Sequence, residues 1–179
     1  MIKVQIIADT HGRFIPISKN VDGYFLLGDN SGSWIWDIQE QTKNGKFAVS
    51  VLGNHDDPAF SQWYPFLQFP EVTQINNYTI GCISGCLKYG YEDYIGFTEQ
   101  KYKEYINSLP KCDIILSHAA PWGTVIDTDY VHSGIIALKE KILREQPKYC
   151  FYGHLHENKV AYIGKTKAIG VFGSQIIEI

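Results

Sequence analysis

Residues 2–12 read IKVQIIADTHG, an apolar run that ends directly in the polar group Asp9-Thr10-His11-Gly12. The run is rich in β-branched residues and nearly continuous, which predicts a strand that is covered on both faces. The same arrangement, an apolar run followed at once by polar residues, recurs four more times along the chain. These later runs cover residues 24–27, 47–52, 113–116 and 149–152, and they are followed by Gly28-Asp29-Asn30, Gly53-Asn54-His55-Asp56, Ser117-His118 and Gly153-His154-Leu155-His156.

Helical patterns fall between these runs, bounded by residues that commonly start or end a helix. Thr98 can cap a helix that ends before Pro110, and Ser133 can cap a second that ends before Pro147. Strands and helices therefore alternate in the first half of the chain and the C-terminal end is mostly strand, which predicts an α/β fold with sheet inside and helices outside. Weaker helical patterns cover residues 33–41 and 58–67, and further strand patterns cover residues 78–84, 159–163, 167–172 and 174–179.

Length and charge limit the number of domains and the kinds of partner. With 179 residues, the chain is predicted to form one domain over residues 1–179. Its 16 Lys and Arg against 19 Asp and Glu give a net charge of −3, which excludes nucleic-acid binding by bulk positive charge. Nucleic acid is therefore disfavoured as a partner.

The chain is expected to be a cytoplasmic protein that does not associate with membranes. No apolar run approaches the roughly 18 residues that a membrane helix needs. The N-terminus lacks the pattern of a secretory signal. The four Cys form no Cys-x-x-Cys pair, so we expect reduced thiols rather than a disulfide framework.

The five polar groups share one type of chemistry. Parallel strands bring their carboxyl ends to one edge of a sheet, so we expect the groups to meet there. Asp, His and Asn supply oxygen and imidazole ligands, a mixture that suits Mn²⁺, Fe or Zn²⁺ better than an all-oxygen Ca²⁺ cage or a thiolate site. Asp9 and His11 are two residues apart in an extended segment and would point the same way. The sequence therefore predicts a metal site at the sheet edge.

The five groups also follow the motif order of a known family. Asp-x-His, Gly-Asp, Gly-Asn-His-Asp, a lone His after a strand and Gly-His-x-His resemble the motifs of the calcineurin-like metallophosphoesterases, and they span residues 9–156. The resemblance implies a four-layer α-β-β-α sandwich and two divalent metal ions, Mn²⁺ first, with Fe, Zn²⁺ or Ni²⁺ as alternatives. By position in the motifs, it implies one ion held by Asp9, His11 and His156, a second held by Asn54, His118 and His154, and Asp29 bridging the two.

The implied centre would hydrolyse phosphate esters. Two divalent ions about 3.5–4 Å apart would lower the pKa of a bridging water and give hydroxide as the nucleophile near neutral pH. The net charge of two such ions together with the carboxylates of Asp9 and Asp29 and one hydroxide is about one positive charge, which favours binding of a phosphate anion. Neutral Asn54, in place of another carboxylate, preserves that attraction.

His55 is predicted to be the general acid that protonates the leaving alkoxide, since it lies beside ligand Asn54 without being needed as a ligand. A carboxylate should orient it, and Asp56 is the nearest candidate in sequence. The alternative is that Asp56 or Asp57 caps a helix that starts near Pro58. Both interpretations stay open at this point.

The sequence is similar to one branch of the family in particular. Residues 28–34 read GDNSGSW and lack the second Asp and the Arg of the protein-phosphatase motif, which argues against phosphoprotein substrates. The stretches HAAPWG at residues 118–123 and HSG at residues 132–134 resemble small stand-alone phosphodiesterases, which implies a small phosphodiester substrate such as a cyclic nucleotide. The alternatives are a phosphomonoesterase of the same fold and a non-catalytic metal-binding scaffold like the retromer subunit. That subunit usually lacks the acid His, so the presence of His55 favours an enzyme.

Three residues near the motifs are candidates for substrate binding, each with a simpler alternative. Arg13 could bind phosphate or be a solvated loop residue, Trp122 could stack on a base or line a groove, and His132 could contact substrate or lie on the surface. A group of tyrosines could border the substrate pocket or pack as a hairpin. We expect specificity to come from loops near Trp34, residues 89–94, which include Tyr89, Tyr91 and Tyr94, and residues 122–132.

Overall fold

The computed structural model of the chain describes residues 1–89, 94–124 and 129–179, in which helices are interspersed among the strands. None of the helices in these ranges is both long enough and apolar enough to cross a membrane. The elements in chain order are β1 (Lys3–Ala8), β2 (Gly23–Leu26), α1 (Ile35–Lys43), β3 (Phe47–Ser50), α2 (Phe60–Trp63), β4 (Val72–Ile75), β5 (Tyr78–Ile83), β6 (Cys86–Leu87), β7 (Gly96–Phe97), α3 (Glu99–Ser108), β8 (Ile114–Ser117), α4 (Ile136–Glu145), β9 (Tyr149–Tyr152), β10 (Lys159–Ile163), β11 (Thr166–Gly170) and β12 (Gly173–Glu178).

The strands form two main sheets. The first has the order β12-β1-β2-β3, in which β1, β2 and β3 are parallel and β12 is antiparallel to β1. The second has the order β10-β11-β9-β8-β5-β4, with four parallel central strands and antiparallel strands at both edges. The short strands β6 and β7 pair separately. Parallel pairing gives the strands that precede the polar groups a common direction within each sheet.

The core between the two sheets is made by the inward-facing residues of both. Ile6 and Phe25 of the first sheet and Ile114 and Phe151 of the second belong to one fully buried cluster. Removing each such side chain from water contributes about 1.5–3 kcal/mol. This cluster explains why the strand sequences are almost continuously apolar: their opposite faces are covered as well.

Helices cover the outer face of each sheet. Ile7 and Leu26 pack with Ile38 of α1 on the first sheet, and Ile115 packs with Ile106 of α3 and neighbouring α4 residues on the second. Ile6 and Ile7 thus face opposite layers, as successive strand residues must. The layers confirm the predicted α-β-β-α sandwich.

The helix boundaries partly follow the sequence patterns. The Thr98 side chain caps α3 by accepting a hydrogen bond from Lys101 N at 3.3 Å, as predicted. Ser133, however, does not cap α4, which begins at Ile136 after Ile135. Glu99 Oε1 accepts from Ala137 N at 2.9 Å instead, so the cap comes from the neighbouring helix. The pattern over residues 58–67 also overestimated α2, which ends at Trp63 because Pro65 cannot continue a helix.

Candidate metal centre

Five loops meet where strands of both sheets end. Asp9 N donates to Gly28 O at 3.1 Å and His11 N donates to Asp29 O at 3.2 Å, which joins the loops after β1 and β2. Gly153 N donates to His118 O at 2.9 Å, which joins the loops after β9 and β8. The loops of the two sheets meet where His154 N donates to Asp9 Oδ2 at 2.8 Å and where His118 Nε2 lies 2.9 Å from Asn54 Oδ1. All seven predicted metal ligands therefore lie at this one edge of the sandwich.

The backbone at this edge is strained. Non-glycine residues with positive φ are uncommon, cost of the order of 1–3 kcal/mol and concentrate at functional sites. Outside the site, the described residues other than glycine with positive φ are Asn76 and Gln146. Within it, positive φ occurs at Asp9 (52°), His11 (44°), Asp29 (53°), His154 (67°) and His156 (50°).

Two glycines allow the loops to approach the carboxylates closely. A Cβ atom on Gly53 would lie 2.0 Å from Asp29 Oδ1, and a Cβ on Gly153 would lie 2.7 Å from Asp9 Oδ2. Neither position can carry a larger residue without moving a carboxylate. These contacts explain the glycine that precedes the polar residues in the Gly-Asn-His-Asp and Gly-His-x-His motifs.

A first group of ligand atoms converges around Asp9. His156 Nε2 lies 3.8 Å from Asp9 Oδ1 and 3.1 Å from His11 Nε2. Asp9 Oδ1 is buried and has no hydrogen-bond partner. A buried carboxylate oxygen without a partner is costly unless a cation neutralises it. The ligand atoms of Asp9, His11 and His156 all lie within 4.8 Å of one another, close enough to share one metal ion.

A second group of ligand atoms converges around His118, which is fully buried. Its Nδ1 donates to Leu27 O at 2.8 Å, so Nε2 presents a lone pair to Asn54 Oδ1, 2.9 Å away. His154 Nε2 is also buried and without a partner. His118 Nε2 and Asn54 Oδ1 thus face each other as two acceptors, and His154 Nε2 faces no donor. This is the arrangement expected of atoms that ligate a cation.

Asp29 lies between the two groups. Its Oδ2 is 3.9 Å from His11 Nε2 and 3.6 Å from His118 Nε2. The ligand atoms of Asp9, Asp29 and His118 also lie within 4.8 Å of one another. One carboxylate therefore faces both groups, the arrangement that a ligand shared by two ions requires.

The electrostatics of the site suit a divalent cation. Burial, and then the charge of Asp29, raise the pKa of Asp9 to about 8 against the opposing hydrogen bond from His154 N. Burial also lowers the pKa of His118, and burial followed by the neighbouring His118 lowers the pKa of His154 to about 3. His118 and His154 are thus neutral and able to ligate at pH 7, and no Lys or Arg of the described residues forms an ion pair with Asp9 or Asp29. The residues present fit divalent metal ions.

His55 stands beside this site with an exposed side chain. Its backbone N donates to Asp29 Oδ1 at 2.8 Å, and its ring centroid is 5.6 Å from that of His11. Among the described residues, no carboxylate makes a hydrogen bond to the His55 ring. The ring thus remains available at the rim of the site.

Asp56, the candidate to orient His55, bonds to the backbone. Its carboxylate accepts hydrogen bonds from the N–H groups of Asp29, Asn30 and Gly53 at 2.9, 3.1 and 2.8 Å. It therefore joins the loops that carry Asp29 and Asn54. The contact at the start of α2 is made by Asp57, whose Oδ1 accepts from Ala59 N at 2.7 Å.

A cavity of about 360 Å³ opens beside the ligands and includes one of the three predicted substrate-binding residues. His132 lines it, whereas the ring of Trp122 packs under Lys139 Nζ at 4.5 Å and is not among the lining residues. Tyr91 lies outside the described residues. The lining residues are Asp29, Asn54, His55, Tyr89, Asp129, Val131, His132, His154 and His156.

Two residues near the site were missed by the sequence reasoning. The Phe172 ring stacks on that of His156, with centroids 5.1 Å apart. The Arg13 guanidinium lies over the Phe172 ring, 5.0 Å from its centroid. Asp129 lies in the cavity and its Oδ1 is 2.7 Å from His132 Nδ1. The Asp-x-x-His spacing was the available signal for Asp129, and Phe172 had none because it lies outside every motif.

The comparison with known families agrees with this geometry. A model of the calcineurin-like phosphoesterases matches residues 2–158. The chain belongs to the calcineurin-like phosphoesterase family. This membership and the ligand geometry indicate a metal-binding hydrolase. No curated protein matches the chain in sequence.

Solved structures share the calcineurin-like phosphoesterase fold at low sequence identity. TT1561 of Thermus thermophilus is 13% identical with a TM-score of 0.66, over 96% of this chain and 89% of that one. Phosphopantetheinyl hydrolase of Mycobacterium tuberculosis is 13% identical with a TM-score of 0.54, over the same shares. A Vps29 double mutant from Entamoeba histolytica is 16% identical with a TM-score of 0.50, over 99% of this chain and 86% of that one. These likenesses establish the fold and not a substrate.

Proposed function

We propose that this calcineurin-like phosphoesterase is a phosphodiesterase that uses two divalent metal ions, Mn²⁺ first, and cleaves cyclic nucleotides or other small phosphodiesters. The observation that carries the proposal is the convergence of ligand atoms around Asp29, with buried lone pairs on Asp9 and His154 left without partners. His55 at the rim of the same site adds a proton donor. A metal-binding scaffold would need the ligands but not the proton donor.

The ligand residues divide into two sets that share Asp29. Asp9, His11 and His156 would hold one ion, and the second would be held by Asn54, His118 and His154. When bound, such ions polarise the phosphate oxygens and activate water for attack. The protein's own contribution is a fixed donor set: Leu27 O fixes the tautomer of His118, and His154 N fixes the Asp9 carboxylate.

His55 would donate a proton to the oxygen of the leaving group. Its backbone N–H holds Asp29, which ties the position of the acid to that of the shared ligand. General acid catalysis contributes about 10²–10⁴-fold when the leaving group is a poor one. Asp56 supports both residues through its hydrogen bonds to the backbone.

A diester is preferred to a monoester for two reasons. Two divalent ions against Asp9, Asp29 and one hydroxide leave about one positive charge, which matches a singly charged diester. The cavity also extends beyond the ligands to Tyr89 and Val131 and leaves room for a second ester group.

The proposed function is tested by hydrolysis of bis-p-nitrophenyl phosphate and p-nitrophenyl phosphate with Mn²⁺. We expect turnover by the wild type with diester activity above monoester activity, and loss of turnover in Asp29→Asn. An inactive wild type would support the scaffold alternative, and a clear monoester preference would support a phosphomonoesterase.

The role of His55 needs substrates that differ in their leaving group. p-Nitrophenolate leaves without a proton, whereas a nucleoside alkoxide needs one. We therefore expect His55→Ala to reduce cleavage of a dinucleoside monophosphate by about 10²–10⁴-fold and to affect thymidine 5′-(p-nitrophenyl phosphate) far less. Equal losses on both substrates would mean that His55 is not the general acid.

A further inference from the structure

The cavity contains a polar pair that the metal ligands do not use. Asp129 Oδ1 accepts hydrogen bonds from His132 N at 3.0 Å and from His132 Nδ1 at 2.7 Å. These contacts hold the ring by one edge and direct Nε2 away from Asp129. No hydrogen bond from the described part of the chain occupies that Nε2 atom.

Ring stacking determines where His132 lies relative to the ligands. Its ring stacks on that of His154, with centroids 5.0 Å apart and planes 25° apart. His55 lies beside a different member of the ligand set, His11, with ring centroids 5.6 Å apart. Val131 and Tyr89 line the cavity with His132 and do not belong to the ligand set.

We propose that His132 is a specificity-determining residue that contacts the ester group retained on the phosphate, and that Asp129 is its positioning residue. This inference rests on the proposed phosphodiesterase function. If the leaving group departs beside His55, the retained group lies against other residues that line the cavity, His132 and Val131. The pair then favours diesters because a monoester has no retained ester group to contact.

The test uses two substrates with the same leaving group. After p-nitrophenolate has left, thymidine 5′-(p-nitrophenyl phosphate) retains a nucleoside ester on the phosphate, whereas p-nitrophenyl phosphate retains no ester group. We expect His132→Ala to lower kcat/KM for the diester about 5–10-fold, mainly through KM, as expected for loss of one contact to substrate. The monoester, measured by turnover or as a competitive inhibitor, should change less than about twofold because it lacks that contact.

Variants of Asp129 test positioning. Asp129→Ala should show part of the same diester-selective loss, and Asp129→Asn should restore it because an amide oxygen still accepts from Nδ1. Lys43→Ala, an exposed change on α1, is the control. Mn²⁺ affinity, measured by calorimetry, should be the same in wild type and His132→Ala.

Each contrary result has a defined meaning. Equal losses for diester and monoester, or a fall in Mn²⁺ affinity that accounts for the loss, would show that His132 only supports His154 and would overturn the inference. No change in His132→Ala would overturn it as well. A wild type that is inactive on both substrates would instead refute the proposed function, and this inference with it.

Discussion

The buried carboxylate of Asp9 suits the proposed metal site but lowers the stability of the metal-free protein at alkaline pH. Burial and Asp29 raise its pKa from 3.8 to about 8, so the folded protein holds this proton more tightly than the unfolded chain. The stabilisation from the protonated carboxyl is present below pH 3.8 and is lost as the pH rises through about 8. In the metal-free protein at alkaline pH, Asp9 is therefore an unneutralised buried charge.

We predict that Asp9→Asn stabilises the metal-free protein at pH 8.5 by about 1–3 kcal/mol, because it removes this charge and keeps an acceptor for His154 N. The advantage should shrink towards pH 5. Urea unfolding in a chelator at both pH values measures it. A variant that is less stable than wild type at pH 8.5 would contradict the burial argument.

Asp56 accepts three backbone hydrogen bonds, so its removal would leave three N–H groups of the site unsatisfied. We predict that Asp56→Ala lowers the free energy of unfolding by about 2–4 kcal/mol and weakens Mn²⁺ binding, because Asp29 is no longer held. Denaturant unfolding and calorimetry measure the two effects. If Asp56 instead orients His55, the loss would be confined to substrates with poor leaving groups, and stability would be unchanged.

The residues of the site differ in how far sequence could predict them. The seven proposed metal ligands could be selected because strand ends and motif order are local patterns, and the structure brings all seven residues together. The partners of Asp56 were not predictable, because they depend on two loops that meet only in the folded chain. Phe172 was missed for the same reason, whereas Asp129 had a local signal in its Asp-x-x-His spacing, and the catalytic roles stay predictions.

At the scale of elements, α3 and α4 are joined by a buried lysine. Lys141 is fully buried, and its Nζ donates to Leu109 O, Pro110 O and Glu145 Oε1 at 2.9, 3.1 and 3.0 Å. It thereby satisfies carbonyl groups just after the end of α3. The sequence showed these residues as part of a mixed-charge helix, with nothing to distinguish a buried Lys from a solvated one.

We predict that Lys141→Ala destabilises the fold by about 2–4 kcal/mol, because it leaves two carbonyl groups without a donor and Glu145 with Arg144 as its remaining partner. The catalytic parameters of the folded fraction should be unchanged, because α4 contributes no ligand. Glu140→Ala, an exposed change in the same helix, is the matched control and should stay within about 0.5 kcal/mol of wild type. The free energies of unfolding are measured by urea unfolding. Equal values for the two variants would disprove the role of Lys141.

At the scale of the whole molecule, local patterns predicted strands and helices but not their pairing. Periodicity gave only an α/β arrangement, whereas the four-layer sandwich came from the family resemblance. The order β10-β11-β9-β8-β5-β4 depends on contacts between distant segments, and hydrophobic pattern does not encode which parallel strands become neighbours. The partition into two sheets matters for function because each sheet supplies part of the site.

Metal binding should therefore stabilise the entire sandwich. Asp9, His11, Asp29 and Asn54 follow strands of the first sheet, and His118, His154 and His156 follow strands of the second, so bound ions join the two. A ligand at 100 times its Kd adds about 2.7 kcal/mol of stability, and each kcal/mol shifts the Tm of a chain this size by about 2–4 °C. We predict that saturating Mn²⁺ raises the Tm of chelator-treated protein by about 5–11 °C. His11→Ala and His154→Ala, one from each sheet, should each lose most of this shift. A wild-type Tm that does not respond to Mn²⁺, or a full shift in both variants, would refute a metal centre shared by the two sheets.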